Sequence, residues 1–167
     1  MQPDICNKMI QLTLTKDEKD FDSCALLISQ SDPWVFLKFS YELCREILKG
    51  ESKELYMIHE NEVFAGFVIL QLQGLLKGYV QSICLRPEFR GKGIGTTALK
   101  FCEERIFRIS PNMFICVSSF NHQAKKLYLS LGFEQVGEFK DMSIRGHSEL
   151  LLRKTIGTYS EFIPVIE

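Results

Sequence analysis

The chain has 167 residues, of which 46% are hydrophobic and 25% charged, and its net charge at pH 7 is −1. This length and balance predict one globular domain, 1–167, that buries about two-thirds of the surface exposed by the unfolded chain. The near-zero net charge excludes a protein-wide basic field, so we expect neither nucleic acid nor an anionic membrane among its partners.

The cysteines and the hydropathy pattern predict a soluble protein of the cytoplasm. The six cysteines form no CxxC pair and several stand in apolar runs, which argues against a zinc site or a disulfide framework. The longest nearly apolar run, VFAGFVIL at 63–70, is too short to span a bilayer. The first twenty residues also lack the basic and apolar segments of a secretory signal.

The first half of the chain predicts one strand, two helices and a three-stranded meander. Period-two alternation in MIQLTLT predicts a strand at 9–15. Two short helices follow at 22–30 and 40–49, with Asp22 and Ser40 as N-caps. Strand-like runs joined by short turns then predict an antiparallel meander at 54–60, 63–73 and 79–86.

The second half alternates helices with strands. Apolar residues at helical spacing predict a helix at 94–109, and Asn121 and Gly132 are placed to begin and end another. Strands are predicted at 113–119, 133–139 and 148–154. The tail from 157 to 167 could cover a sheet edge or pair with a second subunit as a homodimer. The order of elements indicates an α/β fold with a mixed sheet, in which the strand–helix–strand unit at 79–119 is parallel.

The segment RPEFRGKGIGT (86–96) joins a predicted strand to a predicted helix and combines three cations with three glycines. Unpaired N–H groups at a helix N-terminus bind anions, so we expect a phosphate-bearing ligand here. No GxxxxGK[ST] string is present, and a GxGxxG match that starts at Gly91 fails at Thr96. A glycine-rich connector with exposed charges is the structural alternative.

Two signatures, in the expected order, identify a family resemblance. RGKGIG (90–95) resembles the [RQ]xxGx[GA] signature of the GNAT superfamily of acetyl-CoA-dependent N-acetyltransferases. Downstream, the segment from Asn121 to Phe133 is similar to its second signature, N-x-x-A-x-x-x-Y-x-x-x-G-F. The resemblance covers 54–154 and is nearest to protein and peptide N-terminal acetyltransferases. It implies about seven strands in a mostly antiparallel sheet, a splayed central parallel pair and four helices.

The resemblance implies acetyl-CoA as co-substrate, no metal, and an amine acceptor that is a peptide N-terminus or a small molecule. The pyrophosphate of coenzyme A would bind the N–H groups of 91–96, with positive charge from Arg90 and Lys92. The pantetheine arm would pair with the preceding strand as a missing strand would. The candidate cofactor-binding residues are Ile83, Cys84, Leu85, Arg90, Gly91, Lys92, Gly93, Ile94, Gly95, Thr96, Asn121 and Tyr128.

Tyr128 and Tyr79 are the candidate catalytic residues. The resemblance implies direct attack of the amine on the thioester, with Tyr128 donating a proton to the departing thiolate; a phenol of pKa about 10 is protonated at neutral pH. Tyr128 could instead only fill an apolar helix face. Tyr79 could hold a water that accepts the amine proton, or could simply be an aromatic at a strand end. The oxyanion donor is expected in the backbone of 83–85.

The general base stays unassigned. Several N-terminal acetyltransferases have a Glu or His five residues before the signature asparagine, where this chain has Cys116. A thiol is a poor base for an ammonium, so we expect Cys116 to be a core residue. His147 or Glu149, near the turn between the last two strands, could orient the amine instead.

The acceptor end is expected in the segment 31–41. Its aromatic residues could wall a groove or pack in the core; they are Trp34, Phe36, Phe39 and Tyr41. Because the usual base is missing, a non-catalytic acyl-CoA-binding sensor is the second hypothesis. A structural domain with an incidental glycine loop is the third. Neither the acceptor nor the oligomeric state follows from the sequence.

Overall fold

The computed structural model describes residues 9–165. Within these residues the chain forms seven strands and four α-helices. In chain order they are β1 (Ile10–Thr15), α1 (Glu18–Ser29), α2 (Tyr41–Leu48), β2 (Lys53–Glu60), β3 (Val63–Gln71), β4 (Tyr79–Leu85), α3 (Ile94–Ile106), β5 (Asn112–Ser118), α4 (His122–Ser130), β6 (Glu134–Lys140) and β7 (Ser148–Thr155).

The strands make one sheet in the order β1-β2-β3-β4-β5-β7-β6. Neighbours pair antiparallel except β4 and β5, which are parallel. The predicted fold class is therefore confirmed: a mixed α/β sheet of mostly antiparallel strands with a central parallel pair.

The parallel pair is short and diverges. Tyr79 pairs with Phe114 and Val80 with Ile115, and the β4–β5 ladder ends there. On the other side of β4, Gln81 is an extra residue that shifts the register with β3. A bulge of this kind bends its strand, and the bend turns the rest of β4 away from β5. The splay that the family resemblance implied is confirmed.

Helices cover both faces of the sheet. Side chains of successive β3 residues point to opposite faces, so that Val68 and Leu70 join the core under α3 and α4, whereas Phe67 and Ile69 join the core under α1 and α2. Each such fully buried aliphatic or aromatic side chain contributes about 1.5–3 kcal/mol. The two cores thus cover opposite faces of the sheet.

The start of α1 differs from the prediction. The helix begins at Glu18, and its N-cap is Asp17, whose Oδ1 accepts a hydrogen bond from the Lys19 N–H at 2.9 Å. The prediction of Asp22 as N-cap is wrong, because Asp22 lies inside the helix and its Oδ1 accepts from Arg45 Nε at 2.7 Å. Asp17 and the acidic residues that follow it lie at the N-terminus of the helix, where the helix dipole stabilises negative charge. Ser40 is the N-cap of α2, as predicted.

The described part of the tail lies against the loop between α3 and β5. The Val165 N–H donates to the Arg108 carbonyl at 2.8 Å, and the Tyr159 hydroxyl lies 3.4 Å from Ser110 Oγ. The sheet edges are β1 and β6. The expectation that the tail covers a sheet edge is therefore wrong for residues up to 165, and Ile166 lies outside the described residues.

Five free cysteines lie among the described residues, and Cys6 lies outside them. Between residues 9 and 165, no helix is both long enough and apolar enough to cross a membrane.

Candidate active site

A cavity of about 880 Å³ opens where β4 and β5 diverge. Its walls are the two strands, the N-terminal turn of α3, the first turns of α4 and the segment 32–39. The predicted glycine loop lies at one end of this space and the aromatic segment at the other. The groove therefore lies where the sheet splays. One end of it is formed by the glycine loop and the other by the segment 32–39.

The glycine loop presents unpaired backbone amides to the cavity. Gly91 and Gly93 have φ angles of +70° and +83°, and Gly93 is the N-cap of α3 without any side-chain cap. The Thr97 N–H is bonded to the Gly93 carbonyl at 3.0 Å, so the amides of 94–96 precede the first intrahelical bond. Amides in this position, at the positive end of a thirteen-residue helix, favour an anion.

Of two cations of the loop, Arg90 and Lys92, one lines the cavity and the other does not. Arg90 lines the cavity, and its Nε donates to the Leu85 carbonyl at 2.9 Å. Lys92 does not line it, because its Nζ lies over the Phe89 ring, 5.6 Å from the centroid. The Ile94 side chain is buried in the core, which leaves only its backbone for a ligand.

The free edge of β4 forms one long wall. Its predicted cofactor residues, 83–85, all line the cavity and lie beyond the last pairing with β5. Within residues 9–165, no strand pairs with this edge beyond Val80, so an extended ligand can pair with its backbone as a strand would. The Gln81 bulge that produces this edge carries no local sequence signal and was missed.

Asn121 and Tyr128 belong to α4 and face the same space. Asn121 caps the helix as predicted, since its Oδ1 accepts from the Ala124 N–H at 3.2 Å. Tyr128 is 6% exposed, and its ring packs 6.0 Å from that of Phe133. It also lines the cavity, so the core role and the cavity role coexist. Burial raises the pKa of Tyr128, which keeps the phenol protonated.

One part of the cavity wall, between its two ends, brings together Tyr79, Cys116 and Glu149. Burial raises the pKa of Tyr79, and the adjacent Cys116 and the charge of Glu149 raise it further. Burial also raises the pKa of the Cys116 thiol. Cys116 is half-buried and lines the cavity, so the expectation that it is a core residue is wrong. The Glu149 Oε1 accepts from Ser118 Oγ at 2.8 Å.

Aromatic rings line the end of the cavity that the segment 32–39 forms. Trp34, Phe36 and Phe39 line the cavity, but Tyr41 does not, because its hydroxyl donates to Asp22 at 3.1 Å. Phe120, which the sequence analysis missed, lies 4.7 Å from Phe36 between ring centroids. Its position directly before the signature asparagine was the available signal.

His147 joins the aromatic cluster without lining the cavity. Its ring centroid lies 5.4 Å from that of Phe36 and 5.2 Å from that of Phe120. Three separate loops thus meet at one ring cluster. Among residues 9–165, no group of three or more His, Cys, Asp or Glu side chains is close enough to hold a metal ion.

Two solved structures share the fold. The ribosomal-protein-S18-alanine N-acetyltransferase of Escherichia coli superposes with a TM-score of 0.72 at 17% identity, over 93% of this chain and 99% of that one. The spermidine N-acetyltransferase of Vibrio cholerae, solved with CoA and spermine, gives 0.71 at 16% identity, over 87% and 95%. At these identities the likeness is one of fold.

Residues 19–133 match the sequence model of the Acetyltransferase (GNAT) family. That range contains both signatures and most of the cavity, and it is more than half of the chain. The chain therefore belongs to the GNAT family of acetyltransferases.

Proposed function

We propose that the protein is an N-acetyltransferase that moves an acetyl group from acetyl-CoA to a primary amine by direct attack, without a covalent enzyme intermediate. The observation that carries the proposal is the continuity of the cavity. It joins the amide-rich loop, the unpaired edge of β4 and the Tyr128 phenol in one groove.

The loop suits a pyrophosphate. A Cβ atom added at Gly91 or Gly93 would meet no other atom within 4 Å, so these glycines serve the positive φ rather than packing. That backbone turns successive N–H groups toward one point, and the Arg90 guanidinium adds a fixed charge. In this proposal the amides of 91–96 bind the pyrophosphate of coenzyme A, with Arg90 beside it.

The β4 edge suits the pantetheine arm. Its amide groups would bond to backbone groups of 83–85 on the edge that β5 leaves free, apart from the Leu85 carbonyl, which accepts from Arg90 Nε. Asn121 would contact the arm from the facing helix. A backbone N–H in the same stretch would stabilise the oxyanion that forms on the thioester carbonyl. The thioester itself supplies the activated acetyl group, whose carbonyl carbon the amine attacks.

Tyr128 is the proposed general acid. Its pKa is raised by burial, so it enters the reaction protonated and donates to the departing thiolate sulfur. Tyr79, protonated for the same reason, holds a water or the amine by hydrogen bonding. Neither phenol can serve as the base in its resting state.

The acceptor is a primary amine, and a cytoplasmic location fits the free cysteines. The two structural neighbours are named for a ribosomal protein and for spermidine, so both peptide N-termini and small amines belong in the test. The aromatic wall and the two carboxyl residues that line the cavity, Asp32 and Glu149, favour a cationic acceptor with apolar neighbours.

The test is acetyl transfer by the purified chain. Acetyl-CoA is incubated with a panel of amines and N-terminal peptides, products are identified by mass, and acetyl-CoA affinity is measured by calorimetry. We expect binding together with an acetylated amine. Binding without turnover on any amine would favour the sensor hypothesis, and absence of binding would favour the structural domain.

A further inference from the structure

Glu149 reaches the cavity from the strand next to the position where the family resemblance placed a base. In the β5–β7 ladder it lies directly opposite Ser118, two residues along from Cys116. Residues two apart on a strand share a face, and a diagonal neighbour across a ladder lies about 7–8 Å away, within reach of a long side chain. Glu149 and Cys116 therefore face the same part of the cavity from adjacent strands.

Glu149 contributes a carboxyl group to this part of the cavity, whereas the other ionisable side chains beside it are phenols and a thiol. Tyr79 from β4, Cys116 from β5 and Tyr128 from α4 all have pKa values raised chiefly by burial, so they hold their protons. The β6 residue opposite Glu149 is Phe139, which does not ionise. Within the described chain, the second carboxylate that lines the cavity is Asp32, on the α1–α2 segment.

The carboxylate is held in place but is not neutralised. Ser118 Oγ donates to Oε1 at 2.8 Å, which fixes the side chain. Across residues 9–165 no lysine, arginine or histidine forms an ion pair with Glu149. A positioned carboxylate without a cation in a half-buried cleft is suited to a charge-assisted hydrogen bond with a ligand ammonium.

We infer that Glu149 binds the ammonium group of the acceptor and accepts its proton, replacing the base that Cys116 cannot supply. The inference rests on the proposed function. The ammonium nitrogen gives one proton to Glu149 and, as a neutral amine, forms the C–N bond. As the C–S bond breaks, the sulfur takes the Tyr128 proton. The nitrogen then loses its second proton, which restores Tyr128 through solvent, and Glu149 releases the first to solvent.

The same geometry assigns the acceptor class. Glu149 and Asp32 line the same cavity as Trp34 and Phe36. Two carboxylates in one cavity repel a carboxylate beside the reacting amine. The acceptor is therefore a cationic primary amine without a neighbouring carboxylate. 2-Phenylethylamine and phenylalanine form a matched pair of probes, since they differ only in that carboxylate.

The decisive variant is Glu149→Gln, whose side-chain oxygen still accepts from Ser118. The probes are 2-phenylethylamine, spermidine and an alanine-initiated tetrapeptide amide, with kcat/KM read from product mass. We expect kcat/KM to fall about 100-fold or more at pH about 7, while acetyl-CoA affinity and Tm stay unchanged. At pH about 9.5 the gap should narrow, because a growing fraction of the amine is already neutral in solution. A purely structural role would not give this rescue.

Three comparisons complete the experiment. Glu138→Gln, at an exposed position on β6, should leave kcat/KM unchanged, whereas Glu149→Asp should restore part of the loss. The wild type should prefer 2-phenylethylamine to phenylalanine, and Glu149→Gln should reduce that preference. Full activity of Glu149→Gln, or a loss that pH does not relieve, overturns the inference. A wild type that binds acetyl-CoA but acetylates none of the probes overturns the proposed function itself.

Discussion

Tyr128 shows at the scale of one residue why the structural and catalytic interpretations of the sequence need not compete. Its ring belongs to the core under α3 and α4, and the residue also borders the cavity. A phenol has an apolar body and a polar tip, so one side chain can satisfy both surroundings. The burial that stabilises the ring also raises the pKa of the hydroxyl, which suits a proton donor.

Tyr128→Phe should lower kcat by about 100-fold, since general acid catalysis contributes about 10²–10⁴. The ring and its packing are retained, so Tm and acetyl-CoA affinity should not change. The acid acts in its protonated form, which exists below its raised pKa. The Tyr128-dependent step of the wild type should therefore not decline between pH about 7 and about 9. Steady-state kinetics over that range, with calorimetry, make the measurement.

Tyr56→Phe is the matched control for that variant. Tyr56 is a buried tyrosine of the same core cluster that does not line the cavity, and its hydroxyl donates to Glu54 Oε2 at 2.6 Å. Losing that bond costs about 1–2 kcal/mol of stability without touching the site. If both variants kept full turnover, Tyr128 would be a core residue alone.

Arg90 and Lys92 should contribute unequally to acetyl-CoA affinity. Arg90 lines the cavity, whereas the Lys92 ammonium lies over Phe89. Arg90→Gln should raise the Kd about tenfold, as expected for the loss of one charge-assisted hydrogen bond of about 1.4 kcal/mol, and Lys92→Gln should raise it about twofold or less. Calorimetry at two salt concentrations checks both values. Equal effects of the two variants would contradict the geometry.

At the scale of elements, we expect the bulge in β4 to keep the cavity open. Gln81 is an extra residue between two stretches of regular pairing with β3. Its insertion bends β4 just after the last pair with β5, Val80–Ile115. A regular β4 would continue the ladder and close the groove. The groove is therefore expected to depend on one inserted residue in β4.

Deletion of Gln81 should keep the fold but abolish acetyl-CoA binding. Pairing on both sides of the deletion can be retained, because the bulge adds one residue to β4 and none to β3. A straight β4 would then pair further with β5 and occupy the edge that the pantetheine arm needs. Circular dichroism and calorimetry separate folding from binding.

Gln81→Ala is the control for the deletion, since it removes the side-chain bond to the Ile47 carbonyl, at 3.3 Å, and leaves the bulge. It should bind acetyl-CoA like the wild type. A deletion variant that still bound acetyl-CoA with unchanged affinity would show that the bulge is not what opens the groove.

For the whole molecule, the sequence predicted what local patterns determine. Periodicity located the strands and helices, cap residues such as Ser40 and Asn121 marked helix starts, and two signatures indicated residues that line one cavity. The bulge at Gln81 and the pairing of Ser118 with Glu149 depend on register between strands distant in sequence. No local pattern encodes such registers, and for that reason the arrangement of residues around Glu149 could not be predicted from the sequence.

The splay also leaves the sheet joined at its centre by a short ladder, Tyr79–Phe114 and Val80–Ile115. A ligand that pairs with β4 and contacts α4 would bridge the two sides of this gap. Acetyl-CoA at a hundred times its Kd should add about 2.7 kcal/mol, which corresponds to an increase in Tm of roughly 5–10 °C for a chain of this size. Thermal unfolding followed by circular dichroism measures it, and Arg90→Gln at the same ligand concentration should show a smaller shift. An unchanged Tm at that acetyl-CoA concentration would contradict binding of acetyl-CoA to the folded chain.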